Sequence, residues 1–239
     1  GLGIAVSGLA ATGMVAAGAR AATGWAAFAV LALVLTAIAW PQLRGAVQAP
    51  SGVPAEHDHP ALGATAAFVL AYGLAGFGYI ITATFLPVIA RQALPGSIWL
   101  DLFWPIFGIG VALGAVLTVR LPMRWDRRHL LMACYAMQAA GVLMTVWWAT
   151  LAGFALGSLL LGLPFTAITL FAMQEARRLS PDNASALIGL LTASYGLGQI
   201  AGPPVVAWLL RHSGDAAKGF AWSLLTAAAA LVLGLWIYA

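Results

Sequence analysis

Charged residues are scarce in this chain of 239 residues, since Asp, Glu, Lys and Arg together make up 8% of it. Soluble globular domains carry about a quarter, so the composition excludes a water-soluble globular enzyme. The net charge of +4, from 11 basic and 7 acidic residues, is too sparse for a nucleic-acid-binding surface. We therefore expect no nucleic acid among the partners. A small basic excess is typical of loops at one face of a membrane.

Residues with catalytic or metal-binding chemistry are also few. The single cysteine, Cys134, lies in an apolar run, which excludes a disulfide within the chain and a cysteine-based metal site. The sequence has neither a phosphate-binding P-loop nor an H-E-x-x-H zinc motif. Residues 56–59 have side chains of metal-binding types, but they lie in a polar connection where solvated side chains are expected. We predict no cofactor, no metal site and no enzyme activity.

Long apolar runs are abundant, and 62% of the residues are hydrophobic. A helix needs about 20 apolar residues to cross the ~30 Å core of a bilayer. Only helices and closed barrels satisfy their backbone in lipid, and these runs lack the alternation of strands. The sequence therefore predicts an all-α, polytopic membrane protein with eight transmembrane helices. We place them near residues 2–18, 22–41, 62–89, 98–119, 128–148, 150–174, 185–210 and 218–238.

The basic residues predict the orientation of these spans. Seven arginines fall in the connections of one face and four basic residues in those of the other. The positive-inside rule places the richer face, and with it the C-terminal Ala239, in the cytoplasm. We accordingly expect a multi-pass protein of the inner membrane. The seven are Arg44, Arg120, Arg124, Arg127, Arg128, Arg177 and Arg178, and the four are Arg20, Arg91, Arg211 and Lys218.

One long polar connection divides the chain. Residues 42–61 are rich in Pro, Gly and charged residues, which is typical of a flexible linker. Two spans precede it within residues 1–41, and six follow it within residues 62–239. We interpret the second group as a six-helix unit.

A glycine pattern occurs twice in this unit, in the middle span of each group of three. G-x-G-x-x-x-G begins at Gly108 and again at Gly196. A repeat of three helices forces inverted topology, so the pattern favours a 3+3 inverted repeat of the kind found in transporters. The alternative is that these glycines only allow helices to pack closely.

Two stretches resemble motifs of the major facilitator superfamily of transporters. Gly189, Gly198, Gly202 and Pro203 are spaced like its glycine-proline motif C. The other stretch is similar to motif A, a glycine near a helix end followed by a short basic loop, although Thr118 stands where that motif has an acidic residue. Its residues are Gly114, Arg120, Arg124, Asp126, Arg127 and Arg128.

The whole chain resembles a narrower group, the YbfB/YjiJ family of this superfamily. The segments that carry the resemblance are residues 72–87, 162–173 and 194–203. It implies that residues 1–239 correspond to the fifth to twelfth helices of a twelve-helix transporter. Residues 1–41 would then be the last two helices of the N-terminal bundle, 42–61 the central cytoplasmic linker and 62–239 the C-terminal bundle. Four N-terminal helices would belong to the same, longer polypeptide.

The resemblance implies that the first helix of each group of three lines a central cavity, which indicates candidate substrate contacts. Two candidates are intramembrane amide or proton-bearing groups: Gln199 for the substrate path and Asp101 for proton coupling. Asp101 lies close to the predicted outer end, where a headgroup-level residue is the alternative. A hydroxyl bonded to its own helix is the alternative for each threonine. The hydroxyl candidates are Tyr72, Tyr79, Thr82, Thr166 and Thr169.

We interpret the chain as part of a secondary transporter that moves a small molecule by alternating access, with protons as the coupling ion by resemblance. Residues 1–239 alone would then not transport. An eight-helix membrane enzyme is one alternative, although its spans offer only Asp101 as a carboxylate. A permease subunit of a larger complex is the other, although residues 42–61 make a poor coupling helix.

Overall fold

A computed structural model describes residues 1–43, 62–95, 102–122 and 125–239. The regular structure in these ranges is helical, without strands. The helices are α1 (Leu2–Ala16), α2 (Ala21–Leu43), α3 (Leu62–Ala93), α4 (Phe103–Arg120), α5 (Arg127–Trp147), α6 (Leu151–Gly162), α7 (Phe165–Leu179), α8 (Ala184–His212) and α9 (Ala216–Tyr238).

Seven helical segments in the described ranges are long and apolar enough to cross a membrane, with α6 and α7 counted as one span over Leu151–Leu179. The remaining helix, α1, is apolar but shorter, with 15 residues. The prediction of an all-α, polytopic membrane protein is therefore confirmed.

The predicted span near 150–174 differs most from the observed helices. The helix is interrupted after Gly162, and a second helix, α7, begins after Pro164. Proline favours this interruption because it lacks an N–H and its ring crowds the preceding turn. The helix then continues beyond the predicted end to Leu179, since the residues after 174 include good helix formers and no breaker. Glu175 consequently lies inside α7 rather than after it.

The helices of residues 62–239 pack around α3, α5 and α9. Helix α3 contacts α8 and α9, while α5 contacts α9 and α6. Helix α4 packs against α6 and α7 on one side and against α1 on the other. By contrast, none of the described side chains of α2 is buried, and its tryptophans Trp25 and Trp40 are exposed. An apolar helix with this exposure is suited to face lipid.

Close helix contacts explain several of the glycines. At Gly114 a side chain would overlap the carbonyl oxygen of Leu163, where α6 ends. At Gly198 a side chain would overlap the carbonyl oxygen of Gly73 on α3. Each glycine therefore allows two helix backbones to touch, as small residues do in membrane proteins.

The first glycine of each G-x-G-x-x-x-G pattern has a different environment. Gly108 on α4 lies against the backbone of Ala5 on α1. A side chain added at Gly196 on α8 would meet open space. The later glycines of both patterns therefore contact a helix within residues 62–239, whereas the first glycines differ, because only Gly108 contacts α1.

A buried tyrosine ties three helices together. The Tyr135 hydroxyl on α5 donates to the Ala71 carbonyl on α3 at 2.8 Å and lies 3.5 Å from the Tyr238 hydroxyl on α9. Gly234 on α9 leaves room for the Tyr135 ring. Nearby, the Gln138 amide donates to the Leu161 carbonyl on α6 at 3.4 Å. These bonds are interhelical hydrogen bonds inside the apolar core.

Candidate functional site

A cavity of about 570 Å³ lies between α1, α3 and α4. Its volume falls within the range of small-molecule sites, about 300–1,000 Å³. Most of its lining is apolar, and its aromatic surfaces include Phe103 and Trp104 at the start of α4. Its polar side chains are Thr12, Tyr79, Thr84 and Arg91. Apolar walls with a few polar groups are typical of sites that orient a small ligand.

Tyr79 is the residue that joins this cavity to the core. Its ring centroid lies 4.8 Å from that of Phe165 on α7 and 6.1 Å from that of Phe107 on α4. Phe107 and Phe165 are themselves 5.6 Å apart. The break before α7 positions Phe165, because α7 begins there. A change at Tyr79 would therefore affect the packing of α3, α4 and α7.

Tyr72 has a different environment from Tyr79. It is buried, its hydroxyl donates to the Thr169 hydroxyl on α7 at 3.3 Å, and its ring lies 5.1 Å from that of Tyr195 on α8. Neither Tyr72 nor Thr169 lines the 570 Å³ cavity. The pair instead connects α3, α7 and α8.

The three other predicted substrate contacts also lie outside this cavity. Thr82 is buried and donates to the Gly78 carbonyl of its own helix at 3.0 Å. The Thr166 hydroxyl is buried without a partner among the described residues. Gln199 is half-buried on α8. Thr166 is the one of these with a hydroxyl left unpaired, which costs free energy in an apolar interior unless water or a ligand bonds to it.

Sequence reasoning missed part of the cavity wall. Thr12 on α1 and Trp104 on α4 line it, whereas the hydroxyl candidates came only from the first helix of each group of three. Nothing in the sequence distinguishes Thr12 from an ordinary helix threonine. Its hydroxyl donates to the Gly8 carbonyl of its own helix at 3.0 Å, as such threonines commonly do.

Polar side chains on either side of the motif A-like loop form hydrogen bonds. Asp126 caps α5 by accepting from the Arg128 backbone N–H at 2.8 Å. Arg127 Nε donates to Gln174 Oε1 on α7 at 3.3 Å. Thr118 donates to the Gly114 carbonyl at 2.6 Å.

The other predicted residues of this motif make no such contact or lie outside the described ranges. Arg120 is exposed in the last turn of α4. Two predicted site residues, Arg124 in this loop and Asp101, lie outside the described residues.

We call this end of the bundle the arginine-rich end, defined by Arg120, Arg127, Arg128, Arg177 and Arg178. It also holds a buried carboxylate. Glu175 is 4% exposed, and Arg178 one turn later donates to its two oxygens at 2.6 and 2.9 Å. The pair lies inside α7, and its i,i+3 spacing was visible in the sequence.

The motif C-like residues lie along α8. Gly198 and Gly202 face α3, where a side chain on Gly202 would overlap Ile80. A side chain on Gly189 would meet open space. Pro203 lies inside α8, which continues to His212.

The comparisons with known proteins bear on the whole chain. The family model described as "Uncharacterised MFS-type transporter YbfB" matches residues 1–239. The chain belongs to this family. Neither the curated proteins nor the solved structures gave a match. The apolar helices and the YbfB family together make the chain a multi-pass membrane protein of a transporter class.

Proposed function

We propose that this YbfB-family protein is a secondary active transporter that moves a small molecule by alternating access, driven by protons. The observation that carries the proposal is the cavity of about 570 Å³ between α1, α3 and α4. It lies where residues from both sides of the 42–61 linker meet, since α1 precedes the linker and α3 and α4 follow it. A site between two units is the arrangement that rocking of one bundle against the other requires.

The proposed organisation has three parts. Residues 1–41 form the last two helices of an N-terminal bundle, 42–61 the central linker and 62–239 a C-terminal bundle with a 3+3 inverted repeat. Reciprocal packing supports the repeat: α4 lies against α6 and α7, and α8 lies against α3. The other N-terminal helices belong, in this proposal, to the same polypeptide.

The proposed placement is the inner membrane, with the arginine-rich end and the C-terminus in the cytoplasm. It is supported by the concentration of arginines at the α4–α5 connection and the end of α7.

The cavity suggests how a substrate would be held. The Tyr79 and Thr84 hydroxyls offer hydrogen bonds, and the rings of Tyr79, Phe103 and Trp104 offer apolar surface. We propose these as substrate contacts, with Asp101 as the proton-coupling group. Thr166 would serve a substrate that reaches further between α3 and α7.

Transport by the protein at its full natural length, reconstituted in vesicles with a pH-sensitive dye inside, tests the proposal. A panel of small molecules is added under an imposed pH gradient, and the dye reports the lumenal pH. We expect at least one compound of the panel to cause protons to enter the vesicle lumen through the protein. We expect Tyr79→Phe or Thr84→Val to raise the substrate KM about tenfold, because each removes one hydroxyl that would bond the substrate.

Thr192→Val is the matched control. The Thr192 hydroxyl donates to the Ile188 carbonyl of α8 at 2.9 Å, and Thr192 is not part of the cavity lining. The substrate KM of this variant should therefore stay at the wild-type value. Proton movement that no panel compound changes would contradict proton-coupled transport. Equal effects of all three variants would contradict the assignment of the cavity.

A further inference from the structure

A second, smaller cavity of about 230 Å³ lies at the arginine-rich end, between the end of α4, the start of α5 and the last turns of α7. It is separate from the larger cavity and shares no lining residue with it. Its walls are mainly apolar, and its polar side chains are Thr118, Trp125, Arg127 and Gln174. The Thr118 hydroxyl donates to the Gly114 carbonyl of its own helix. Nothing in the transport proposal uses it.

Arg127 gives this cavity a positive charge, and it forms no ion pair among the described residues. Arg127 is half-buried as a residue, and its Nε donates to the neutral amide of Gln174. That bond uses one of several N–H donors of the guanidinium. Among the described residues the nearby carboxylates have other roles: Asp126 caps α5, and Glu175 is bound by Arg178. A fixed guanidinium in an apolar surround is suited to bind a phosphate through paired hydrogen bonds.

Part of the apolar wall of the cavity is exposed at the surface of the bundle. Val119 is 82% exposed and Leu170 is 40% exposed, although both are aliphatic and both line the cavity. Trp125 is 48% exposed at the same end, as is typical of a tryptophan at headgroup depth. A free phosphate ion would leave these apolar surfaces uncovered, whereas an acyl chain would cover them.

We propose that this cavity binds an acidic glycerophospholipid, with its phosphate on Arg127 and the start of an acyl chain against Leu170 and Val119. Basic pockets between transmembrane helices are known to hold anionic headgroups. The bound lipid links α4 and α5 to α7, and its negative charge offsets part of the arginine excess at this end.

The test is a thermal unfolding titration of the protein at its full natural length in a neutral detergent. Phosphatidylglycerol, phosphatidylcholine with the same acyl chains, and inorganic phosphate are added separately to the wild type. We expect only phosphatidylglycerol to raise the melting temperature in a saturable way. Equal stabilisation by phosphatidylcholine would overturn the role of the charge, and equal stabilisation by phosphate would overturn the role of the lipid.

The variant Arg127→Gln should weaken the apparent affinity for phosphatidylglycerol about tenfold, as expected for the loss of a charge-assisted contact. Arg211→Gln is the matched control, because this arginine is exposed at the other end of the bundle and bonds the Ala207 carbonyl at 3.1 Å. It should bind like the wild type. Equal losses in the two variants would mean diffuse charge attraction and would overturn the site. If Arg127→Gln does not fold, the three wild-type titrations decide the question.

Discussion

Tyr72 and Tyr79 are seven residues apart on α3, and the structure gives them different neighbours. Helical spacing predicts that the two share a face, but it cannot predict what that face meets. Tyr72 meets Thr169, 97 positions away along the chain, whereas Tyr79 borders the cavity beside α1 and α4. The surroundings of each residue depend on how distant helices pack. The sequence could therefore identify the two tyrosines as candidates, but their neighbours could be known only from the fold.

The hydroxyl of Tyr135 should contribute measurably to stability. Tyr135→Phe keeps the buried ring beside Gly234 and removes the bond to the Ala71 carbonyl. We expect a loss of about 1 kcal/mol in the free energy of unfolding, the usual size of an interhelical hydrogen bond in a membrane protein. Reversible unfolding in mixtures of mild detergent and dodecyl sulfate measures it.

Tyr195→Phe is the control for this measurement. Tyr195 also lies within the bundle, and the interaction that the structure shows for its side chain is ring packing on Tyr72, which phenylalanine retains. It should change the free energy of unfolding by much less than Tyr135→Phe. Similar losses in both would mean that the Tyr135 bond adds nothing specific.

At the scale of helices, composition and spacing predicted which segments are helical, and local chemistry set their ends. The break at Gly162 and Pro164 agrees with the tendency of proline to interrupt a helix when it falls in the interior. Yet Pro87 and Pro203 lie within continuous helices, because neighbouring groups in a membrane bundle can accommodate the lost bond. Proline alone therefore does not predict where a span is interrupted.

The glycines of α8 allow a matched test of helix contact. Gly198→Ala places a methyl group against the backbone of Gly73, so α3 and α8 must separate. We expect a loss of about 1–3 kcal/mol in the free energy of unfolding, as for overpacking in general. The same detergent titration, applied to residues 1–239, measures it.

Gly196→Ala is its control, two residues away on the same helix. The added methyl group meets open space, and alanine is a better helix former than glycine. This variant should be at least as stable as the wild type. If both variants lose stability alike, the cost comes from glycine's own role in the helix rather than from contact with α3.

At the scale of the molecule, orientation is the feature most open to experiment. Cys134 is buried, and Cys134→Ala gives a background for single cysteines. Asn183→Cys lies between α7 and α8 at the arginine-rich end, and Ala217→Cys lies at the start of α9 at the other end; both positions are exposed. A membrane-impermeant maleimide added outside intact cells should label Ala217→Cys and spare Asn183→Cys.

Permeabilised cells provide the control, since both cysteines should then react. The reverse pattern in intact cells would place the arginine-rich end outside and contradict the proposed cytoplasmic C-terminus. The sequence predicted this orientation from arginine positions alone, because the rule depends on the connections and not on how the helices pack. Packing, by contrast, decided which predicted residues border the cavity.

The ion pair between Glu175 and Arg178 has a consequence for biosynthesis. Both partners belong to α7 and are three residues apart, so the pair can form as soon as that one helix has formed. A lone charge within a span makes insertion into the bilayer costly. With its counter-charge on the same turn, the Glu175 carboxylate can be neutralised within α7 before any other helix has packed against it, while Arg177 keeps the last turn of this helix basic.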